Sequence, residues 1–190
     1  MHLGNSGRWG KTLHDVLYCT YMYKIDKLLK LNRDLYHTGD LGVLWEITNK
    51  NTLYTTIKRY VQKGILIPIH KGLYATKPLD KIDPILLGLA VIHDYAYVSC
   101  ETVLAKEGLI NQIVFPITLV SGKSQKFSAG GNHYVVRKLA LKYLYNPKGI
   151  GTSERAVADM LYFRPSYHFD GENMIDWKKV KFIQKEVGYI

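Results

Sequence analysis

The sequence predicts an α+β fold, in which a short N-terminal unit of helices and two strands precedes a longer region of mixed α and β structure. Three observations support this prediction. Apolar residues recur at helical spacing in the first third of the chain, two short strand-like segments flank a glycine turn near residue 72, and helical and strand-like segments are mixed from residue 84 onward.

The chain begins with an extension over residues 1–23 that we expect to be partly helical. Thr12, with Asp15 three residues later, resembles a capping box. Apolar residues then keep helical spacing from Leu13 to about Leu31. The first helix is therefore expected to cross from the extension into the unit that follows.

Thr38 opens a second, short helix. Asp40 suits its first turn, and one apolar face is formed by Leu41, Leu44 and Trp45.

A third helix is predicted to begin at Asn51 or Thr52. Gly64 ends it, since glycine readily adopts the left-handed conformation of a helix C-terminus. The residues that point inward share helical spacing: Leu53, Ile57, Tyr60 and Val61.

Two strands, Ile65–Ile69 and Leu73–Ala75, are predicted around the turn His70-Lys71-Gly72. Pro68 lacks an amide donor, which confines its strand to a sheet edge. Three helices followed by a two-stranded hairpin is the order of a winged helix-turn-helix, which we assign to residues 24–79.

A linker from Lys77 to Pro84 leads into a second domain, residues 84–190. Asp83 is expected to cap its first helix, with Pro84 at the first helical position. The further strands are predicted at Ala96–Ser99, Phe115–Ser121 and His133–Tyr145, the last ended by a turn at 146–149. The further helix caps are Ser99, Thr152 or Ser153, and Asp176.

Positive charge is concentrated where the winged helix-turn-helix is predicted. The chain carries a formal charge of +10, yet residues 47–79 contain no Asp or Glu. The basic residues of that stretch are Lys50, Lys58, Arg59, Lys63, Lys71 and Lys77. Such a face suits the phosphate backbone of double-stranded DNA.

An α-helix fits the major groove of DNA. We therefore expect the third helix to enter the groove with its polar face toward the bases. Its polar face includes Thr52, and the candidates for base contact are Asn51, Tyr54, Thr55 and Arg59. The candidates for phosphate contact are Lys50, Lys58 and Lys63. His70 and Lys71 are placed at the hairpin tip, within reach of the backbone or minor groove. A structural alternative remains for Asn51, which could cap the helix.

Other classes of protein are not favoured. The two cysteines, Cys19 and Cys100, have no ligand spacing, so neither a disulfide framework nor a zinc site is expected. No apolar run approaches the roughly 20 residues that span a bilayer, and no signal peptide is seen. We expect a cytoplasmic protein without a membrane partner.

No catalytic residue, cofactor or metal is predicted. Ser121–Ser124 (SGKS) echoes the end of a P-loop, but Ile117 stands where a Walker A motif needs glycine. A basic loop or a hairpin turn is expected instead. Glu101 with Glu107, and Glu154 with Asp159, have spacings that diverge on a helix, which favours salt bridges over paired acid/base chemistry.

The chain resembles the AbiEi-type antitoxins of type IV toxin–antitoxin (abortive infection) systems. The likeness is carried by Lys63-Gly64-Ile65-Leu66, by Lys71-Gly72-Leu73-Tyr74, by the segment AYVSCETVLAKEGLINQIVFPITLVSGKSQKF, and by Glu154, Arg155, Ala156 and Asp159 within GTSERAVADMLYF. It spans about Lys24 to Phe163.

This resemblance implies a transcriptional regulator that binds the operator of its own operon. It further implies that residues 84–190 counteract a nucleotidyltransferase-like toxin without forming a stable complex with it. Residues 84–190 could instead dimerise the regulator or sense a ligand. Two other functions stay open: a nucleic-acid-processing enzyme targeted by the winged helix, using Glu101, Glu107 or Lys123, and a winged-helix interaction module without a DNA target.

Overall fold

The computed structural model describes residues 23–144 and 149–190, and these residues form an α+β protein. The described ranges contain seven α-helices and two sheets, so the predicted class is confirmed. Most of the predicted extension, including the helix start at Thr12, and most of the turn at 146–149 lie outside these residues. Within them, no helix is both long and apolar enough to cross a bilayer.

The first region consists of three helices and a small sheet. Its elements are α1 (23–31), β1 (Leu35–His37), α2 (Thr38–Leu44), α3 (Lys50–Gln62), β2 (Ile67–His70) and β3 (Leu73–Ala75). The strand order is β1-β3-β2, and both pairings are antiparallel. Pro68 lies on an edge strand, as predicted. The strand β1 was not predicted, because three residues are too few to show an alternating pattern.

Helix α3 begins at Lys50, one or two residues before the predicted start. Asn49 is its N-cap, since the Asn49 side chain accepts a hydrogen bond from the backbone N–H of Thr52 at 3.1 Å. The predicted end is confirmed. Gly64 has a φ of 69° immediately after the helix, and the N–H of Ile65 reaches back to the carbonyl of Tyr60 at 3.0 Å.

The three helices pack through an apolar core that contains most of the predicted inward residues. Buried members are Leu28, Tyr36, Leu41, Trp45, Leu53, Ile57, Tyr60 and Leu66. Gly42 in α2 allows a close approach, because a Cβ there would stand 3.2 Å from the Leu53 side chain of α3. The contact between α2 and α3 explains a glycine inside a helix, where it is otherwise unfavourable.

The other face of the small sheet packs against the second region. Leu35, Leu73 and Ala75 are buried there together with Leu87 and Val91 of the next helix. The segment predicted as a linker contributes as well, since it forms a short 3₁₀ turn (Leu79–Lys81) and buries the Ile82 side chain. The sheet therefore lies between two apolar cores.

The second region surrounds a five-stranded sheet. Its elements are α4 (Pro84–Val91), β4 (Ala96–Val98), α5 (Glu101–Lys106), β5 (Ile117–Ser121), β6 (Gln125–Ala129), β7 (Asn132–Lys138), β8 (Gly149–Ile150), α6 (Ser153–Phe163) and α7 (Trp177–Val187). The strand order is β6-β7-β5-β4-β8. The predicted caps Asp83, Thr152 and Asp176 are confirmed, since each side chain accepts a backbone N–H of its helix.

Two predictions for this region were wrong, and one strand was missed. The strand predicted over His133–Tyr145 ends at Lys138, because a 3₁₀ turn follows at Leu141–Tyr143. Strand β6 was not predicted, since its mostly exposed residues give little apolar signal. Ser99 does not cap α5; its hydroxyl donates to Asp159 instead.

The SGKS segment does not form the hairpin turn that was expected, because the strands it joins are not neighbours in the sheet. Strands β5 and β6 lie on opposite sides of β7, so residues 122–124 pass over the end of β7. The Lys123 ammonium pairs with the Asp94 carboxylate at 2.8 Å. The hydroxyl of Ser121 donates to the carbonyl of Tyr95, and that of Ser124 to the carbonyl of Val136. These side chains hold the crossover in place.

Candidate nucleic-acid interface

The side of α3 that faces away from the core is the candidate interface. Every residue predicted to contact DNA from this helix and its C-terminal cap is exposed: Lys50, Asn51, Thr52, Tyr54, Thr55, Lys58, Arg59 and Lys63. Leu53, Ile57 and Tyr60 are buried on the opposite side. The apolar residues thus hold the helix against the core while its polar face stays accessible.

Asn51 lies in the first turn of α3 and does not cap it. The cap is Asn49, so the structural alternative for Asn51 was wrong. Asn51 and Thr55 are exposed and four residues apart, which places them on nearly the same line of the helix. An amide and a hydroxyl so placed are suited to reading base edges.

Positive charge extends along the whole helix. Lys50 lies in its first turn and Lys63 caps its C-terminus, about 20 Å apart at 1.5 Å per residue. Lys58 and Arg59 lie between them and are exposed. A row of cations of this length is long enough to span a major groove, which is about 12 Å wide.

Sequence reasoning missed one cation beside this face. The pKa of Lys24 in α1 is lowered by partial burial and by the positive charge of Arg59, so the two groups lie near each other. The carbonyl of Lys24 accepts a hydrogen bond from the indole of Trp45 at 3.3 Å, which fixes α1 against α2. Lys24 and Arg59 are 35 residues apart in the sequence, so no local sequence pattern could indicate that their charges interact.

Glu46, the acidic residue that directly precedes the acid-free stretch 47–79, is neutralised by an ion pair. The Glu46 carboxylate pairs with the Lys27 ammonium at 2.6 Å, and this pairing lowers the pKa of Glu46. The Glu46 side chain is exposed, whereas that of Lys27 is largely covered. The effect of the pair is to reduce the negative charge near the start of α3.

The two predicted residues of the β2–β3 hairpin are exposed but differ in surroundings. Lys71 lies in the turn, next to Gly72 with its φ of 78°. The backbone N–H of Thr38 donates to the carbonyl of Gly72 at 2.8 Å, which ties the turn to α2. The ring of His70 lies 6.3 Å from that of His93 in the second region, so it faces the junction between the two regions.

The second region contains a buried polar network on α6. The Asp159 carboxylate accepts hydrogen bonds from Tyr97, Ser99 and the Arg155 guanidinium at 2.7–2.8 Å. Burial raises the pKa of Tyr97, and the negative charge of Asp159 raises it further. The Arg155 guanidinium also donates to the backbone carbonyl of Tyr143. The network therefore joins α6 to β4 and to the chain near residue 143.

The acidic residues considered for catalysis do not form one cluster, although two of them line the same cavity. Glu101 forms an ion pair with Arg137. Glu154 lies near Lys179, with 3.6 Å between the carboxylate and the ammonium. Glu107 and Glu154 line a cavity of about 270 Å³ between α6 and α7. In residues 23–144 and 149–190, no group of three His, Cys, Asp or Glu side chains is arranged to hold a metal ion.

Cys100 lies at the turn from β4 into α5 with an unusual φ of 54°. A strained residue between a strand and a helix is the geometry of a nucleophile elbow. However, the side chain is buried, and this burial raises the pKa of the thiol. A protonated thiol without access to solvent is not a reactive nucleophile.

No protein-family model and no curated protein matches the chain. A solved structure with a similar fold is that of the Rv2827c protein from Mycobacterium tuberculosis. The two sequences are 11% identical, and the TM-score is 0.52 over 88% of this chain and 71% of that chain. At this identity the likeness establishes a shared fold.

Proposed function

We propose that the first region is a winged helix-turn-helix that binds double-stranded DNA, with α3 as the recognition helix and the β2–β3 hairpin as the wing. The observation that carries this proposal is the exposed face of α3, where polar and basic residues line one side of a helix whose other side is buried. The order of helices and strands and the position of Pro68 on an edge strand agree with it.

We further propose that the chain is a transcriptional regulator and the antitoxin of a type IV system. In this role it represses its own operon and counteracts a nucleotidyltransferase-like toxin without enzymatic activity of its own. The resemblance to AbiEi-type antitoxins supports this. Arg155 and Asp159 of the matching segment GTSERAVADMLYF occupy the buried network of α6, so these two positions have a structural reason to be shared.

Removing three cations from the proposed interface tests DNA binding. A Lys58→Ala/Arg59→Ala/Lys71→Ala variant should bind a duplex from upstream of its own operon more weakly than the parent. The slope of log K against log salt should flatten by about 0.9 for each phosphate that the protein no longer neutralises. Both quantities come from fluorescence anisotropy at several salt concentrations.

A control of equal charge separates the interface from the overall charge of the chain. Three exposed lysines of the second region serve for this control: Lys106, Lys126 and Lys185. Replacing all three by alanine removes the same number of positive charges as the test variant. The control variant should keep the parent's affinity and slope. If the two triple variants weaken binding equally, α3 and the hairpin are not the docking face.

A further inference from the structure

Three histidines from separate segments meet where the β2–β3 hairpin contacts the second region. His37 ends β1, His70 ends β2, and His93 follows α4. The ring centroids of His37 and His93 are 5.0 Å apart, and those of His70 and His93 are 6.3 Å apart. The ring of His93 thus lies close to the rings of both histidines of the first region.

The pairing of the strands explains why these rings converge. His37 pairs with Leu73 of the central strand in regular antiparallel register, so the two side chains lie on the same face of the sheet. His70 is exposed at the end of β2 and also lies opposite Leu73, after an irregularity in the register between Pro68 and His70. Leu73 is fully buried on that face, against the side of α4 that carries Leu87. The histidines therefore lie at the rim of the apolar junction between the two regions.

The nearby carboxylates already have other partners. Asp40 of α2 accepts the backbone N–H of His37 at 3.0 Å and lies 3.3 Å from the Arg33 guanidinium. Asp94, next to His93, pairs with Lys123 at 2.8 Å. On the hairpin, the residue after His70 is Lys71, another cation. Protonated imidazoles in this cluster would face one another and these cations.

His37 is the least favourable place for a positive charge. It is the N-cap of α2, where the helix dipole disfavours cations. Its pKa is lowered chiefly by burial and next by His93; Asp40 has a smaller opposite effect, and Arg33 lowers the pKa slightly further. The neutral imidazole of His37 is therefore the form that fits the packed junction.

We propose that His37, His70 and His93 form a proton-sensitive contact that holds the β2–β3 hairpin against the second region when neutral and releases it when protonated. Because the pKa of His37 is lowered in the docked state by burial and by His93, docking is stable above the ordinary histidine pKa of about 6.5 and weakens as the pH falls below it. Release lets the hairpin move, together with the exposed Lys71 that it carries. This last consequence rests on the proposed DNA binding, but the docking itself does not.

Hydrogen exchange of the full chain tests docking without DNA. Amide protection of residues 67–75 would be measured at about pH 8 and about pH 5.5, corrected for intrinsic rates, with EDTA present so that only protons act on the cluster. We expect hairpin protection to fall several-fold at the lower pH while protection of α6 stays constant. Equal hairpin protection at both values, or an equal loss in α6, overturns the proposal.

Two variants assign the effect to the cluster. His93→Gln removes the shared ring and should at least halve the pH response of the hairpin. His168→Gln, at an exposed histidine on another part of the second region, should keep the full response. A His93→Gln protein with the parental response also contradicts the proposal. His37 is left unchanged because its replacement would disturb the start of α2.

Discussion

Two asparagines at the start of α3 have different roles although they are two residues apart. The side chain of Asn49 accepts the N–H of Thr52 and caps the helix, whereas Asn51 is exposed on the side of the helix away from the buried Leu53. The segment TNKNT contains two suitable cap residues, so sequence alone could not choose between them. The choice depends on where the chain leaves the turn after α2, which is set by the packing of α2 on α3.

The different roles give a matched pair of substitutions. Asn51→Ala should cost about 1–3 kcal/mol of binding free energy on the cognate duplex and little on a scrambled one, because the alanine cannot hydrogen-bond a base. Asn49→Ala should instead cost about 1 kcal/mol of folding stability, because the helix then has no side-chain cap. Duplex binding measured by anisotropy and unfolding measured by thermal denaturation report the two effects.

Each variant serves as the control for the other. An Asn51→Ala protein with the parental ratio of cognate to scrambled affinity would rule out base readout by this residue. A lowered melting temperature in Asn51→Ala, with none in Asn49→Ala, would contradict the assignment of the cap.

At the scale of elements, the helices were predicted better than the strands. The apolar stripe of α3, its glycine end and the caps Asp83, Thr152 and Asp176 depend on neighbouring residues, which a sequence displays directly. Strand β1 depends on a partner strand far along the chain, and β6 has few apolar side chains. The candidate site was predictable because it is a single helix face, whereas Lys24 and the histidine cluster require tertiary contacts.

Glycines inside helices provide a prediction at this scale. Gly88 of α4 faces the ring of Tyr134, and a Cβ at this position would stand 2.4 Å from that ring. Gly88→Ala should therefore destabilise the fold by about 1–3 kcal/mol through overpacking, despite the better helix propensity of alanine. Chemical denaturation measures the change in the free energy of unfolding.

Gly39 of α2 is the matched control. A Cβ there would meet no atom within 4 Å, so Gly39→Ala should be neutral or stabilise the protein by up to about 1 kcal/mol. If Gly88→Ala were as stable as Gly39→Ala, the close packing of α4 on β7 would be contradicted.

At the scale of the whole molecule, the two regions have separate cores and a shared junction. Among its described residues, the second region packs 21 buried side chains around its own sheet. The junction adds buried residues from both regions. A change on the exposed face of α3 therefore leaves the second core intact. If the second region carries the antitoxin activity, the two proposed functions should be separable by surface substitutions in the full-length chain.

This separation leads to a prediction in cells. The Lys58→Ala/Arg59→Ala/Lys71→Ala variant, expressed at the parental level from a foreign promoter, should fail to repress a reporter under its own upstream region. It should still protect cells from the toxin encoded beside it, because all three side chains are exposed and belong to the first region. Reporter activity and survival after toxin induction measure the two functions in one strain background.

Loss of protection together with repression, in a variant that remains folded, would show that the cations of the first region also take part in neutralising the toxin. The division of labour between the two regions would then be wrong.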